Sequence, residues 1–416
     1  MITRDPKACL RRLFAAAVDA VDPLYCVPPH LPLRPRGRTI VVGAGKASAR
    51  MARAVEAHWD GPLQGLVATR YGHGERCERI EIVESGHPVP DERGVDVAAR
   101  IMRLVQGLGP DDLVIALMSG GGSSVVTLPA PGLTMDDLKQ VNRALLACGA
   151  PIDEMNDVRK ELSSISGGRL AQACGAATVV TLVISDVPGD DPAVVASGPT
   201  VPSRRDPERA RAILGRYGIP VPARVADHLK HPRVVDLQAS GAREVKVIAR
   251  ADDALAAAVA QASEEGIEVF NLGGAVAGES RDVARQHAGL VRGLRTVPGA
   301  RPRLLLSGGE TTVTVRGRGR GGRNAEYLLA LALALGEEPG VHALACDTDG
   351  IDGVEDNAGG IIDPGSLRLA LAGGSDPAAL LDDNDAHAFL SAAQGLIITG
   401  PTRTNVNDFR AVLVDH

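Results

Sequence analysis

The sequence predicts an α/β protein with two α/β domains, largely parallel sheets and an active-site cleft between the domains. Short apolar runs typical of buried strands alternate with helix-length segments, and alanine and glycine are plentiful. Helices that cover the faces of a parallel sheet produce this alternation. The chain has 416 residues, too many for one ordinary core. We predict a Rossmann-like N-terminal domain over 1–235 and a C-terminal domain over 236–416, whose last residues are a candidate to return to the first domain.

The elements of the N-terminal half follow from apolar runs and helix-capping residues. The run at 39–42 is rich in β-branched residues and ends at a glycine turn, which predicts a buried strand. Thr134, followed by Asp136 and Asp137, predicts the start of a helix over 135–147. The other predicted strands are 66–69, 80–83, 113–118 and 178–185, and the other predicted helices are 8–22, 47–58, 95–106 and 206–217.

The stretch at 218–241 contains prolines and little periodicity, so it is the candidate linker. The leucine-rich segment at 324–335 predicts a helix, and the Gly/Arg tract at 316–323 predicts a solvated hairpin edge. The predicted strands after the linker are 245–249, 267–271, 304–306, 341–346, 396–399 and 411–414.

Composition argues against two classes of partner. The net charge is -6 and aromatic residues make up 2% of the chain, so neither a basic nucleic-acid footprint nor base-stacking platforms are predicted. The apolar run at 328–335 is too short to span a bilayer. Six cysteines show no C-x-x-C spacing, which is typical of thiols in a reducing compartment. We predict a cytoplasmic protein that binds neither nucleic acid nor membrane, with a homodimer as a candidate assembly.

Two glycine-rich loops share one pattern: an apolar run, then Ser-Gly-Gly, then hydroxyl side chains. The first lies at 119–124 and the second at 307–312. Glycines at the end of a strand free main-chain N–H groups to face an anion, and the hydroxyls add donors. Both loops are predicted to contact phosphate or nucleotide, with a plain strand-to-helix turn as the alternative. Glu310 is unusual in an anion cradle and is a candidate ligand for a metal or a sugar hydroxyl.

A third glycine turn, at 43–46, ends in Lys46 at the start of a predicted helix. It is not a Walker A loop, because Ile40 and Ala47 stand where glycine and a hydroxyl residue are required. As a dinucleotide fingerprint it is incomplete, because Ser48 replaces the third glycine. A lysine at a helix N-terminus opposes the helix dipole unless it has an anionic partner. Lys46 is therefore a candidate phosphate ligand, with a solvated lysine as the alternative.

Aspartates follow two predicted strands, at 186–191 and at 347–352. Mg²⁺ in proteins is held by one or two carboxylates together with phosphate and water oxygens. Each cluster is thus a candidate metal or proton-accepting site, although turns and helix caps also use aspartate. Arg159 and Arg323 lie beside glycine pairs and asparagines, and the arginine fork matches phosphate or carboxylate oxygens. His87 is predicted to be a hydrogen-bonded structural residue of a loop.

Motifs along nearly the whole chain resemble, in order, those of the type-2 glycerate kinase family. They include Gly-Ala-Gly-Lys at 43–46, Gly-His-Pro-Val-Pro-Asp at 86–91 and Gly-Gly-Arg-Asn at 321–324. The other matching segments are 119–123, 156–160, 185–191, 197–200, 307–311, 347–350 and 399–402, with Asn405, Asn407 and Asp408 after them.

The resemblance implies phosphorylation of the D-glycerate 2-hydroxyl by ATP with Mg²⁺, and it implies that Lys46 and Arg323 carry catalysis. Phosphoryl transfer needs charge neutralisation and positioning more than covalent help. The predicted catalytic residues are Lys46, Arg323 and Asp186. The predicted substrate- or nucleotide-binding residues are Gly45, Ser119, Gly120, Gly121, Gly122, Ser123, Arg159, Ser197, Gly198, Thr200, Gly309, Glu310 and Asn324. The predicted metal ligands are Asp190, Asp347 and Asp349.

Three departures from the family pattern leave the acceptor acid open. Glu161 stands where the family has histidine, Ser166 where it has lysine and Ala325 where it has glutamine. The change at Glu161 alters the charge of a region predicted to face anions, so a neutral or larger polyol acid is an alternative acceptor. Two other functions are kept as alternatives: an NAD(P)H-dependent hydroxypyruvate reductase, and a non-catalytic sugar-acid- or nucleotide-binding relative.

Overall fold

The computed structural model describes residues 5–231, 241–297, 299 and 301–415, and these form two compact units. One unit is Cys26–Ile248, and the other joins Met1–Tyr25 to Ala249–His416. Across the ranges just given, no helix is both long and apolar enough to cross a bilayer. The predicted α/β class is confirmed.

Helices and strands alternate through most of the chain. The helices are α1 Pro6–Ala20, α2 Pro23–Cys26, α3 Ser48–His58, α4 Glu92–Leu104, α5 Gly122–Val125, α6 Met135–Ala147, α7 Ile152–Glu161, α8 Arg169–Ala173, α9 Pro207–Arg216, α10 Ala223–Lys230, α11 Ala251–Glu264, α12 Ser280–Thr296, α13 Arg323–Leu335, α14 Ser366–Ala372, α15 Pro377–Asp382 and α16 Ala386–Ala392. The strands are β1 Thr39–Ala44, β2 Gln64–Arg70, β3 Ile80–Ser85, β4 Leu113–Ser119, β5 Thr178–Ile184, β6 Arg243–Ala249, β7 Glu268–Asn271, β8 Gly278–Glu279, β9 Arg303–Gly309, β10 Thr311–Thr312, β11 Val341–Asp347, β12 Gly359–Ile362, β13 Leu396–Ile397 and β14 Asp408–Val414.

The unit Cys26–Ile248 is built on a six-stranded sheet in the order β3-β2-β1-β4-β5-β6. β1 pairs in parallel with β2 and β4, and the pairs β2–β3 and β4–β5 are also parallel. The chain runs from β1 to β3 on one side and from β4 to β6 on the other, so the switch point lies between β1 and β4. Doubly wound sheets bind ligands outside the carboxyl ends of the strands at this point. The turns after β1 and β4 are therefore the first places to look for a site.

A second core of the same unit is formed by α6, α7, α9 and α10. Val141, Leu145, Val158, Ile213 and Leu229 are buried in it. Helix α6 begins as the sequence predicts. The Thr134 hydroxyl accepts a hydrogen bond from the Asp137 N–H, and the Asp137 carboxylate accepts one from the Thr134 N–H. This capping box fixes the first turn of the helix. The helical core carries the side chains on α6 and α7 that are described below.

The second unit corrects the prediction of two largely parallel sheets. Its six-stranded sheet has the order β13-β12-β11-β14-β9-β7. The four pairs from β13 to β9 are antiparallel, and only the edge pair β7–β9 is parallel among the described strand pairs of this sheet. Helix α1 packs against this sheet, with the Phe14 ring 5.6 Å from the Phe409 ring.

The domain prediction differs from the units in two respects. The predicted boundary between residues 235 and 236 lies outside the described residues. Residues 1–25 were predicted to belong to the first domain, but the contacts of Met1–Tyr25 group it with the second unit. The last strand, β14, lies inside the sheet of the second unit rather than returning to the first.

Candidate functional site

The glycine turn after β1 uses its main-chain N–H groups within the protein. Gly45 donates to the Ala68 carbonyl oxygen at 3.2 Å, Lys46 to the Gly120 carbonyl oxygen at 2.9 Å, and Ala47 to the Ser119 hydroxyl at 3.0 Å. Two of these bonds hold the β1 turn on the end of β4, and the bond to Ala68 holds it on β2. The backbone of Lys46 is therefore fixed at the switch point, and its side chain is half-buried.

Gly45→Ala is expected to destabilise the protein by about 2 kcal/mol or more, a range typical of strained or overpacked sites. Gly45 has φ +135°, and a Cβ there would lie 2.2 Å from the Ser119 hydroxyl oxygen and 2.4 Å from its carbonyl oxygen. Gly72→Ala is the matched control, because Gly72 also has positive φ (+78°) but has no atom within 4 Å of the added Cβ. Denaturant unfolding measures both variants, and equal losses would contradict the steric explanation.

The turn after β4 leaves a run of main-chain N–H groups available. Among the described residues, no acceptor meets the N–H groups of Gly120, Gly121, Gly122 and Ser123. Gly121 is left-handed, with φ +76°, and a Cβ on Gly122 would lie 2.5 Å from the Ala196 Cβ. Successive N–H groups at such a turn form a binding place for an anion such as a phosphate. That this loop binds phosphate stays a prediction, and its available N–H groups are donors of the kind that such binding requires.

His87 is tied to the same turn. The Ser124 hydroxyl lies 2.9 Å from the Gly121 carbonyl oxygen and 2.6 Å from His87 Nδ1, within hydrogen-bond distance of both. His87 has the hydrogen bond that the sequence analysis predicted, and it also lines a cavity.

This cavity, of about 310 Å³, opens beside the glycine turn within the unit Cys26–Ile248. Its volume falls in the range typical of small-molecule sites. Apolar side chains of α6 and α7, including Leu138, Val141 and Val158, form part of its wall. Four predicted binding residues line it, namely Gly121, Ser123, Arg159 and Ser197. Lys46, Asp186 and the other predicted residues of this unit do not line it.

Arg159 is held by one neutral hydrogen bond. Its Nε donates to the Asn142 Oδ1 at 2.7 Å, and burial lowers the pKa of the guanidinium. Within the described part of the chain, no carboxylate lies at ion-pair distance from it. A desolvated cation without a counter-ion costs free energy, so the arrangement favours an anionic ligand.

The predicted loop at 197–200 has an unusual backbone. Ala196, Ser197 and Gly198 are all left-handed, with φ of 52°, 60° and 56°. Left-handed conformations of alanine and serine are strained and persist only where surrounding bonds hold them. Here the N–H groups of Gly167 and Gly168 donate to the Ser197 and Gly198 carbonyl oxygens, at 3.0 and 2.8 Å. The backbone bonds thus hold Ser197 in this conformation at the cavity wall, while Thr200 is buried away from the cavity.

The departure at Glu161 has a structural explanation. Glu161 is buried, accepts from Arg205 Nη2 at 2.8 Å and from the Asp206 N–H at 2.9 Å, and does not line the cavity. The expectation that it changes the charge facing an anion is therefore wrong, because Arg205 neutralises it. Ser166 does line the cavity and accepts from the Ser163 hydroxyl at 3.0 Å. Ala325 is fully buried in α13.

Arg323, in the second unit, is the centre of an acidic cluster. Its Nε donates to Asp408, its Nη1 to Glu310 and its Nη2 to Asp347, at 2.8, 2.6 and 2.8 Å. Burial opposes the charged form, but the three carboxylates together raise the pKa of Arg323 far above its usual value. Three of the five N–H groups of the fork are thus committed to the protein.

A buried network fixes the start of α13, where Arg323 lies. Asp352 accepts from the main-chain N–H groups of Asn324 and Ala325, at 3.0 and 2.8 Å, and burial raises its pKa to about 6. Asp408 also accepts from the Asn324 side chain at 2.7 Å and from Arg410, which is fully buried. Asn324 is therefore a member of the network that positions Arg323.

The second Ser-Gly-Gly loop is not built like the first. The Gly308 N–H donates to the Gly273 carbonyl oxygen at 2.9 Å, and a Cβ on Gly309 would lie 2.3 Å from the Val276 carbonyl oxygen. Gly309 permits close packing of two backbones, and Glu310, which follows it, is one of the carboxylates bonded to Arg323.

The Gly/Arg tract is also not a hairpin edge, because the N–H groups of Arg316 and Gly317 donate to the Asn384 side chain.

Two of the three predicted metal ligands, Asp347 and Asp349, already accept hydrogen bonds within the protein. Asp347 accepts from Arg323 and from the Asp349 N–H, and Asp349 accepts from the Ile351 N–H at 2.9 Å. Asp190 is half-buried and left-handed, with φ 54°. No three carboxylate, histidine or cysteine side chains form a metal-binding group anywhere in the part of the chain that the structure describes. The assignment of Mg²⁺ ligands stays a prediction.

Some residues of these arrangements were missed from the sequence. Asn142 and Ser163 lie on or after ordinary helices with no motif to mark them. Asp408 was noted only as part of the family pattern, and Arg410 not at all. Asp408 and Arg410 lie just before the run predicted as a strand at 411–414, and the alternation of acid and base leading into an apolar run is the signal that could have found them.

Comparison with known proteins gives one consistent family. Residues 9–230 match the family described as "Domain of unknown function (DUF4147)", and residues 303–408 match the "MOFRL family". A "Putative hydroxypyruvate reductase" of Agrobacterium vitis is 50% identical over 97% of this chain and 94% of its own length. The "D-glycerate 2-kinase" of Thermotoga maritima is 39% identical over 94% of each chain.

A solved structure agrees with this. The crystal structure of a Thermotoga maritima glycerate kinase has a TM-score of 0.87 at 37% identity, covering 98% of this chain and 99% of the other. The chain, which joins a DUF4147 region to a MOFRL region, therefore belongs to the glycerate kinase family.

Proposed function

We propose that this protein transfers the terminal phosphoryl group of ATP to the 2-hydroxyl of D-glycerate, or of a closely related small sugar acid. The observation that carries this proposal is the run of available N–H groups at 120–123, which lies after β4 at the switch point of the sheet. Such a run can hold a phosphate without any side-chain charge. The family relatives named glycerate kinase support the acceptor.

Each proposed residue has a distinct task. Gly120 to Ser123 bind phosphate oxygens, and Lys46, tied to Gly120 through its main chain, neutralises charge on the transferred group. Arg323 stabilises the charge of the transferred group in this proposal, and its carboxylate partners fix the plane of its fork. Glu310, Asn324 and Gly309 support Arg323 rather than forming a second phosphate cradle.

Asp186 and Asp190 are the proposed carboxylates for proton transfer and Mg²⁺. Ser119 pairs with Ile184 across the sheet, so the segment after β5 that begins with Ser185 and Asp186 leaves the same edge as the glycine turn. Oxygen ligands suit Mg²⁺, which neutralises phosphate charge when bound. In the second unit Asp347 and Asp349 remain candidate ligands, although the bonds to Arg323 and to main-chain N–H groups occupy part of their oxygens.

The reductase alternative meets an obstacle at the β1 turn. A dinucleotide fold presents the N–H groups of its first glycine turn to the pyrophosphate. Here the N–H groups of Gly45, Lys46 and Ala47 all have acceptors within the protein. Ser48, in place of the third glycine, has its hydroxyl within hydrogen-bond distance of the Gly45 and Ala68 carbonyl oxygens and donates its proton to one of them. The available donors follow β4 instead, which favours the kinase.

One assay separates the two functions. Purified protein is incubated with MgATP and D-glycerate, L-glycerate or four-carbon sugar acids, and ADP release is measured, with and without EDTA. The position of the phosphate is read by NMR. A parallel arm offers hydroxypyruvate with NADH or NADPH. We expect ADP and 2-phosphoglycerate, both abolished by EDTA; oxidation of the nicotinamide without ADP release would reject the proposal.

A further inference from the structure

The cavity beside the glycine turn is lined by cations without acids. Arg159 and Lys139 stand in its wall, and none of the described lining residues is an aspartate or glutamate. The chain as a whole carries a net charge of -6, so this local excess of positive charge runs against the average. A concave site with one sign of charge attracts ligands of the opposite sign. The cavity is therefore built for an anion.

The described acidic side chains of α7, the helix that carries Arg159, already form ion pairs with other arginines. Arginines on or before α9 take the described carboxylates of α7 as partners. The pairs are Arg205 with Glu161, Arg209 with Asp157 and Arg216 with Glu154, at 2.8, 2.5 and 2.6 Å. Arg159, on the same helix, has no such partner among the described residues. Among the described residues, Arg159 is thus the guanidinium in the cavity wall, and the acids of α7 do not neutralise it.

Asn142 sets the direction in which this guanidinium can act. The bond from Arg159 Nε to Asn142 Oδ1 joins α7 to α6, and both side chains line the cavity. Because Nε is occupied, the two terminal nitrogens remain as a pair of parallel donors. Two parallel N–H donors match the two oxygens of a carboxylate. An amide acceptor fixes the fork without neutralising it.

We propose that Arg159 binds the carboxylate of the acceptor acid in this cavity, and that Asn142 is a positioning residue for it. That the bound acid is the phosphoryl acceptor rests on the proposed kinase function. That Arg159 binds a carboxylate does not depend on it. The glycine turn, which contributes Gly121 and Ser123 to the same wall, would then face the phosphate rather than the acid. Ser163 and Ser166 supply hydroxyls that suit the remaining alcohol groups of a sugar acid.

Binding without turnover tests this directly. Calorimetry measures the Kd of D-glycerate, of D-erythronate and of the uncharged amide of D-glycerate for the parent protein and for Arg159→Gln. We expect the variant to weaken binding of each acid about 10- to 100-fold, the range for losing charge-assisted hydrogen bonds, and to leave the amide unchanged. Arg159→Lys should restore part of the affinity, and Asn142→Ala should weaken it less than Arg159→Gln.

Arg143→Gln is the matched control, because Arg143 lies exposed on α6 and its side chain bonds, among the described residues, only to the Lys139 carbonyl oxygen. Thermal unfolding confirms that each variant is folded. Unchanged acid binding in Arg159→Gln, a parent that binds neither acid, or a loss of ATP affinity in place of acid affinity would each overturn the proposal. Arg159-dependent acid binding without ADP release would instead reject the kinase function and keep the carboxylate site.

Discussion

Lys46→Ala is expected to lower kcat for phosphoryl transfer by at least about 100-fold, the effect typical of removing one electrostatic contact to a transition state. The side chain projects from a turn whose backbone is bonded to Ala68, Gly120 and Ser119. All three bonds use main-chain N–H groups of the turn, and these remain in the variant. The loss should therefore appear in kcat, with little change in the free energy of unfolding. ADP release and denaturant unfolding measure the two quantities.

Two further variants make this result specific. Lys46→Arg keeps the charge on a longer side chain and should retain more activity than Lys46→Ala. Lys230→Ala removes an exposed lysine of α10 and should leave kcat at the parent value. A Lys46→Ala protein that turns over within a factor of ten of the parent would remove Lys46 from the catalytic residues.

The sequence predicted elements whose signals are local. The helix over 135–147 was found because Thr134 is an N-cap residue and Asp136 and Asp137 follow it in the first turn, and the structure adds the capping box between Thr134 and Asp137. The buried strands β1, β4 and β5 were found as apolar runs. The antiparallel pairing in the second sheet was missed, because a strand buried on both faces has the same apolar run whichever way its neighbours point. The packing of α1 onto the second unit was missed because chain order does not encode it.

In the candidate site, too, the local features were predicted from the sequence and the contacts between distant residues were not. Glycine spacing located the turns after β1, β4 and β9, but not which of them has available N–H groups. That depends on partners far along the chain, such as Gly120 for Lys46 and Gly273 for Gly308. Arg159 was predicted as a ligand from its residue type, from the asparagine and glycine pair near it in sequence and from the matching segment at 156–160. The sequence does not show that, among the described residues, Arg159 has no carboxylate partner, because this depends on the ion pairs that the acids of α7 form with other arginines.

Arg323→Ala is expected to lower kcat by about 1000-fold or more, in the range found for arginines that stabilise phosphoryl transfer. It is also expected to destabilise the second unit, which the sequence alone did not predict. Asp347 and Asp408 are buried, and removing the guanidinium leaves each with one charged or polar partner fewer. Breaking a buried ion pair on one side costs about 3 kcal/mol or more. Activity and unfolding must therefore be measured together.

Arg281→Ala separates the two effects. Arg281 pairs with the buried Glu326 at 2.9 Å in the same unit, outside the cluster around Arg323. We expect this variant to lose stability on a similar scale, because it too leaves a buried carboxylate with one partner fewer, while its kcat stays near the parent value. Arg323→Lys retains a charge for Asp347 and Asp408 but loses the fork, so it should recover stability and still turn over about 100-fold more slowly. If instead kcat follows stability through all three variants, Arg323 holds the fold together and takes no part in phosphoryl transfer.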